Sequence, residues 1–337
     1  MAMRDALARD LAAIEAVERV VLMHDLRLPR PQLAKLCAKK HFTKVEWLDV
    51  NSLVGERQLV RDLARANEST ILIAPEFQEL LLARVRIAEA SGGNVISPNS
   101  SVVALASDKQ QCAEFLAGRE LPVPRGQEWA GHDSAIDPGL FPAILKPVDG
   151  AGSWLVQRIP DQAALREVDL TAAPRWRLER YHAGTAASVA LLSGPGGLIA
   201  LTPCSQTLSQ DGRFAYLGGR IPLPHTLSGR AQSLALNIGA ALPSFRGYLG
   251  VDLVLGEAED GSDDVCIEIN PRLTTSYVGL RQMYEPNLAL AMLRTAAGIP
   301  LPLTTTSRTI EFAADGSFRT LPAALPLDDL LTLHPTP

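Results

Sequence analysis

The chain has 337 residues, 47% hydrophobic and 20% charged, with 32 Lys and Arg against 37 Asp and Glu, a formal net charge of −5. That length is too great for one compact core and calls for two or three domains, while the hydrophobic share excludes global disorder and the acidic balance argues against a nucleic-acid surface. Four cysteines (Cys37, Cys112, Cys204, Cys266) without Cys-x-x-Cys spacing and six scattered histidines argue against a zinc centre or a disulfide framework.

Residues 3–17 read as an amphipathic helix with no apolar signal-peptide core behind its charges. No apolar run of about 18 residues follows to span a membrane, so a soluble cytoplasmic protein is expected. Next, short apolar runs at 19–23, 43–48, 70–74 and 94–96 alternate with helical patterns at 30–39, 55–66 and 77–91. Strands alternating with helices predict a small parallel α/β domain over residues 1–106. Ser107-Asp108-Lys109 opens another helix, with Ser107 or Asp108 as its N-cap. The Pro-, Gly- and Asp-rich stretch 120–141 reads as a linker.

Beyond it the pattern changes. Apolar runs at 142–147, 153–158, 176–181, 186–192, 197–203 and 213–218 predict a mostly antiparallel sheet, followed by a helix at 228–241. The segment 107–314 is expected to form one domain, with a small lobe over about 120–185 and a larger lobe over about 186–314. A helix at 286–297, a strand near 308–313 and an irregular tail over 315–337 complete the chain.

The densest chemistry lies in a predicted hairpin. Leu249, Val251, Leu253 and Leu255 alternate with Gly250, Asp252 and Val254; Val265, Ile267 and Ile269 alternate with Cys266, Glu268 and Asn270. The Gly-, Asp-, Ser- and Glu-rich stretch 256–264 between them reads as the turn. Pairing Leu255 with Val265 sets Asp252 opposite Glu268. Like charges so opposed are destabilising unless a hard cation lies between them, and Asp, Glu and Asn oxygens suit Mg²⁺. A solvated polar face is the competing reading.

Lys146 ends the apolar run 141–145 and precedes Asp149-Gly150-Ala151-Gly152-Ser153. A strand lysine followed by a Gly-rich turn can hold phosphate oxygens between its ammonium and the turn's N–H groups, although an ordinary β-turn would look the same. Lys109 supplies a second cation. Glu179, in Trp176-Arg177-Leu178-Glu179-Arg180-Tyr181, offers a carboxylate on a strand suited to present backbone groups to a base. Gly-x-Ser-x-Gly is absent, which lowers the prior for an α/β-hydrolase.

Two lysines either side of a linker, a Gly-rich turn, an acidic hinge strand and a late Asp…Glu-x-Asn set come in an order that resembles the ATP-grasp superfamily. The resemblance implies an ATP-grasp fold preceded by a small α/β domain. It implies ATP bound by Lys109, Lys146, Gly150, Gly152, Ser153, Glu179 and Tyr181, with Mg²⁺ (or Mn²⁺ in its place) on Asp252, Glu268 and Asn270. Arg272 and Lys146 would serve the transferred phosphoryl group. The run Glu268-Ile-Asn-Pro-Arg-Leu-Thr-Thr-Ser-Tyr-Val-Gly279, with Ile73-Ala74-Pro75-Glu76, is more narrowly similar to the tyramine–glutamate ligases of methanofuran-type cofactor synthesis. That likeness implies amide formation through an acyl phosphate, with Arg220, Thr274, Thr275, Ser276, Tyr277 and Arg281 as candidate substrate contacts. It also implies small-molecule partners and a homodimer. A ligase with a different acceptor and an inactive ATP-binding protein are the alternatives. Two features depart from the superfamily pattern. The usual first strand and glycine turn are not evident, the sequence opening directly in a helix. Gly250 stands where some members carry an arginine, which leaves the positive charge to Arg272 or Arg220.

Overall fold

The structure, a computed structural model, describes residues 2–29, 43–132 and 134–321. The helix expected at 30–39 and most of the expected tail, 322–337, lie outside these residues.

Helix α1 (Ala2–Ala13) buries Ala6 and Leu7 in one core and Ala8 and Ala12 in another. Strands β1 (Val20–Asp25) and β2 (Val45–Val50) pair in parallel from Val20–Val45 to Asp25–Val50. Helix α2 (Leu53–Ala66) starts at Ser52, whose hydroxyl accepts from Gly55 N, and α3 (Leu80–Ala90) packs against it. The parallel sheet is smaller than the sequence predicts. Segments 70–74 and 94–96 meet only at a bridge between Thr70 and Val95, because the Leu72 N–H is taken by the Ser97 side chain rather than by a neighbouring strand. An unanticipated helix, α4 (Ser100–Ser107), is capped by Asn99. It leads into α5 (Lys109–Ala117), whose N-cap is Asp108, accepting from Gln111 N at 2.8 Å.

The stretch expected as a linker contains a strand. β3 (Gly126–Trp129), β4 (Ala143–Pro147), β5 (Gln157–Ile159) and β6 (Trp176–Arg180) form an antiparallel sheet in the order β3-β6-β4-β5. Proline, glycine and aspartate masked β3, whose four residues are too few to show alternation. Its core, with Trp129, Leu145, Trp176 and Leu178, is closed by α6 (Gln162–Arg166). The strand expected at 153–158 begins only at Gln157, since Gly152, Ser153 and Leu155 adopt positive φ of 67°, 61° and 56° in a turn.

A second, eight-stranded antiparallel sheet carries β7 (Thr185–Gly194), β8 (Gly197–Ala200), β9 (Cys204–Leu208), β10 (Tyr216–Ile221), β11 (Gly247–Leu255) and β12 (Val265–Asn270). Helix α7 (His225–Ala241) covers one face through Ala231, Leu234, Ala235 and Ile238, packed on Val189, Leu191, Val251 and Leu253. On the other face α1, α8 (Tyr277–Leu280) and α9 (Leu288–Ala296) share a core with Leu192, Ile221 and Phe312. β13 (Tyr284–Glu285) and β14 (Thr304–Thr305) pair separately, and β15 (Thr309–Ala313) extends the large sheet. Within the segment expected to be irregular, β16 (Phe318–Leu321) pairs with β15.

Candidate active site

Asp252 lies opposite Glu268 in the β11–β12 ladder. The pairing that led to this expectation is displaced by one residue: Val254, not Leu255, faces Val265. A register shift after Asp252 skips Ile267 and restores the carboxylate pair. The skipped residue is used, for Lys146 Nζ donates to its carbonyl at 3.3 Å and so links the two sheets.

Asp252 Oδ1 accepts from Gln206 at 2.8 Å and Oδ2 from Asn270 at 2.9 Å. Burial and the facing Glu268 charge push the Asp252 carboxyl up to about 6, against the hydrogen bonds from Ser188 and Asn270. Two facing acids with that mutual cost, beside an amide oxygen, fit a divalent cation. Among the described residues no group of three or more His, Cys, Asp or Glu is arranged to hold a metal. A two-carboxylate site suits Mg²⁺, which takes its remaining ligands from water and phosphate.

Lys109 reaches this pair, and Lys146 reaches the strand that carries Glu268. Lys109 Nζ stands 2.9 Å from Glu268 Oε1 and donates to the Gly150 carbonyl. Burial alone would lower its pKa, but Glu268, Glu76 and Asp149 outweigh burial and raise it, keeping the ammonium charged. Lys146 Nζ pairs with Glu179 Oε1 at 2.5 Å, and Arg177 Nε with Glu179 Oε2 at 2.8 Å; all three are almost fully buried. Burial opposes the Glu179 charge, yet the two cations hold its carboxyl below the usual range. Gly126, opposite Glu179 in the ladder, leaves room for the cluster: a Cβ there would stand 2.7 Å from Glu179 Cβ.

Arg272 Nε stands 2.8 Å from Oε1 of Glu76, which comes from the N-terminal part of the chain. The Glu76 segment is tied to the Gly-rich turn by Gln78 N, which donates to Asp149 Oδ2 at 2.8 Å. Glu76 lies in the quoted Ile73–Glu76 run, but a contact 196 positions away cannot be read from local pattern. A side chain at Gly250 would put its Cβ 2.5 Å from Thr274 Cγ2, so an arginine has no room there. Arg220 pairs with Ser205 on β9, one step from Gln206, and so alternates to the face opposite Asp252.

The expected substrate run divides. Thr274 Oγ1 lies 2.8 Å from both Tyr248 Oη and Ser276 Oγ, a hydroxyl network beside the acidic pair, and Thr275 is partly buried in the turn before α8. Tyr277 and Arg281 instead hold α1 in place: Tyr277 Oη donates to Asp10 Oδ2 at 2.7 Å and Arg281 Nε to Asp10 Oδ1 at 3.0 Å. Asp10→Ala should strand Arg281 and cost about 3–5 kcal/mol. A large drop in urea midpoint with nucleotide affinity unchanged is the expected result. Tyr181 stacks on Phe214 with centroids 6.2 Å apart, and the Arg158 guanidinium sits 4.6 Å over its ring. Burial pushes the Cys112 and Cys204 thiols up to about 12, which excludes a thiolate nucleophile at either position at neutral pH.

Known proteins share this fold. The ATP-grasp domain model matches residues 106–276, and a pre-ATP-grasp model matches 18–103. A tyramine–L-glutamate ligase of Methanocaldococcus fervens is 23% identical over 226 residues, 67% of this chain and 65% of that protein, so the match spans just under two thirds of the relative. The L-amino acid ligase of Bacillus licheniformis superposes with a TM-score of 0.69 at 17% identity, covering 92% of this chain and 77% of that one. The biotin carboxylase domain dimer of Hydrogenobacter thermophilus 2-oxoglutarate carboxylase, solved with MgADP and bicarbonate, gives 0.68 at 17% identity, covering 92% and 71%. These two share the fold. With its family model spanning half the sequence and a pre-ATP-grasp segment before it, the chain belongs to the ATP-grasp family.

Proposed function

We propose that the chain is an ATP-dependent carboxylate–amine ligase that joins glutamate to tyramine or a related aromatic amine. The observation that supports this reading best is the facing Asp252–Glu268 pair with Lys109 on Glu268 and Lys146 on the carbonyl of Ile267, the two lysines coming from separate elements. A substrate carboxylate attacks the γ-phosphorus of ATP, giving an acyl phosphate and ADP. The amine nitrogen then forms a bond to the acyl carbon, the C–O bond to phosphate breaks, and the surplus N–H proton leaves with phosphate. Lys109 and Lys146 neutralise the phosphates, and Arg272 stabilises charge on the transferred group. Such catalysis is positioning plus electrostatics. Asp252, Glu268 and Asn270 are the residues that would hold Mg²⁺, which when bound draws charge from the phosphate oxygens. The Gly150–Ser153 turn closes over the phosphates, and the Thr274–Ser276 hydroxyls border the acyl acceptor. The substrates follow the name of the tyramine–L-glutamate ligase relative, and the choice of Mg²⁺ agrees with the MgADP held by the carboxylase domain.

Incubation with ATP, Mg²⁺, glutamate and tyramine, with mass analysis, tests the reading. ADP and a product equal in mass to the two substrates less one water are expected. ADP release with other pairs but not with this one would replace the acceptor assignment. One observation favours that second reading: Tyr277 and Arg281, within the run that suggested the substrates, are engaged by Asp10. A panel of amines and acids scored by ADP release separates the two. ATP binding without ADP release from any pair would leave only a nucleotide-binding protein.

A further inference from the structure

Glu76 is 3% exposed, and among the described residues neither of its carboxylate oxygens has a well-aligned hydrogen-bond donor. Its nearest charge is the Arg272 guanidinium, met at Nε rather than at the outer nitrogens. Burial, then the Glu268 charge, raises the Glu76 carboxyl, while Arg272 opposes the rise. A buried acid with one misaligned partner is expensive to keep. Arg272 needs such a partner, because its own local contact is a 3.2 Å bond from Nη1 to the carbonyl of Leu273, the next residue. A neighbour's carbonyl cannot by itself fix a long side chain.

The Glu76 segment is rigidly placed. Leu81 N donates to the Pro75 carbonyl at 3.1 Å, and Gln78 and Glu79 turn the chain through left-handed φ of 53° and 54°. Gln78 N then holds Asp149, and Lys109 holds the Gly150 carbonyl. The N-terminal part, the phosphate turn and Arg272 are thus connected through one short run of residues.

We propose that Glu76 is a positioning residue that holds Arg272 by its Nε edge, so that the outer guanidinium nitrogens are turned to the γ-phosphate of bound nucleotide. The inference rests on the nucleotide-binding half of the ligase reading and needs no particular acceptor. The N-terminal part would then complete the phosphoryl site as well as flank it.

Calorimetric Kd values for MgATP and MgADP on the full chain test this with Glu76→Gln, Arg272→Gln and the double variant. Wild type should prefer ATP. Glu76→Gln should cut the ATP-over-ADP preference by roughly 10-fold, as loss of one charge-assisted contact does, with ADP affinity unchanged. In the Arg272→Gln background the same change should have no further effect. An equal loss of ATP and ADP affinity would mark Glu76 as merely structural and overturn the proposal. So would two losses that add, or a preference untouched by Glu76→Gln. If Arg272→Gln abolishes the preference while Glu76→Gln leaves it untouched, only the role of Glu76 falls. A wild type that binds neither nucleotide sinks the ligase reading and this proposal together. Glu76→Met, which fills similar volume without a buried polar group, replaces the glutamine variant if that one does not fold.

Discussion

Glu268→Gln is expected to lower ADP release at least ~10²-fold, the scale of losing a preorganised charge contact, while the protein stays folded. The change keeps the side chain's shape and removes one negative charge at the point where the two proposed roles, cation binding and the Lys109 pair, meet. Glu268 faces Asp252 across the ladder and pairs with Lys109 at 2.9 Å. As the amide, it would bind a divalent cation more weakly and would no longer form an ion pair with Lys109. The two effects separate experimentally. Weaker cation binding raises the Mg²⁺ concentration needed for half-maximal turnover, whereas a displaced Lys109 lowers nucleotide affinity even at saturating Mg²⁺. Circular dichroism and the urea midpoint establish that the variant is folded. Near-normal turnover at ordinary Mg²⁺ would remove the metal role from Glu268 and with it the Asp252–Glu268–Asn270 assignment.

The parts of this site that were legible in the sequence are those whose geometry follows from local periodicity. Alternation in two strands joined by a short turn is enough to place Asp252 against Glu268, and the pairing survives a one-residue error because a β-bulge at Ile267 compensates for it. The bulge itself has no signature, since Cys266, Ile267 and Glu268 keep the polar–apolar alternation. Contacts across long separations were not legible. Asp10 and Arg281 are 271 positions apart, and an arginine shortly after an acidic strand looks the same whether it awaits a substrate or clamps a helix. Glu76 shows the reverse: its motif was visible, but its partner was not. The parallel strand at 70–74 failed for a different reason. Its composition suits a strand, but a strand needs a free neighbour, and the Ser97 side chain takes the Leu72 N–H that a ladder would have used.

A large effect on stability is expected at Glu179. Lys146 and Arg177 are both nearly inaccessible and both lean on this carboxylate, at 2.5 and 2.8 Å. Glu179→Gln leaves two buried cations facing a neutral group, and breaking a buried pair by removing one partner costs about 3–5 kcal/mol. Arg177→Met should cost less, because the Lys146–Glu179 pair survives it. The pH dependence has a definite sign. The folded-state pKa of Glu179 is depressed, so its contribution is fully present above the ordinary glutamate pKa and is lost as pH falls through the folded value. The gap in unfolding free energy between wild type and Glu179→Gln should therefore be constant near neutrality and close on acidification. Urea midpoints measured across that range decide it, and a gap that stays constant to low pH would mean that Glu179 is not carrying the charge in the folded protein. Nucleotide should narrow the same gap at neutral pH. Phosphate oxygens offer Lys146 a second anion, and a ligand that binds the folded variant shifts its midpoint by mass action. Rescue by ATP but not by adenosine would locate Lys146 at the phosphates by a stability measurement that needs no catalysis.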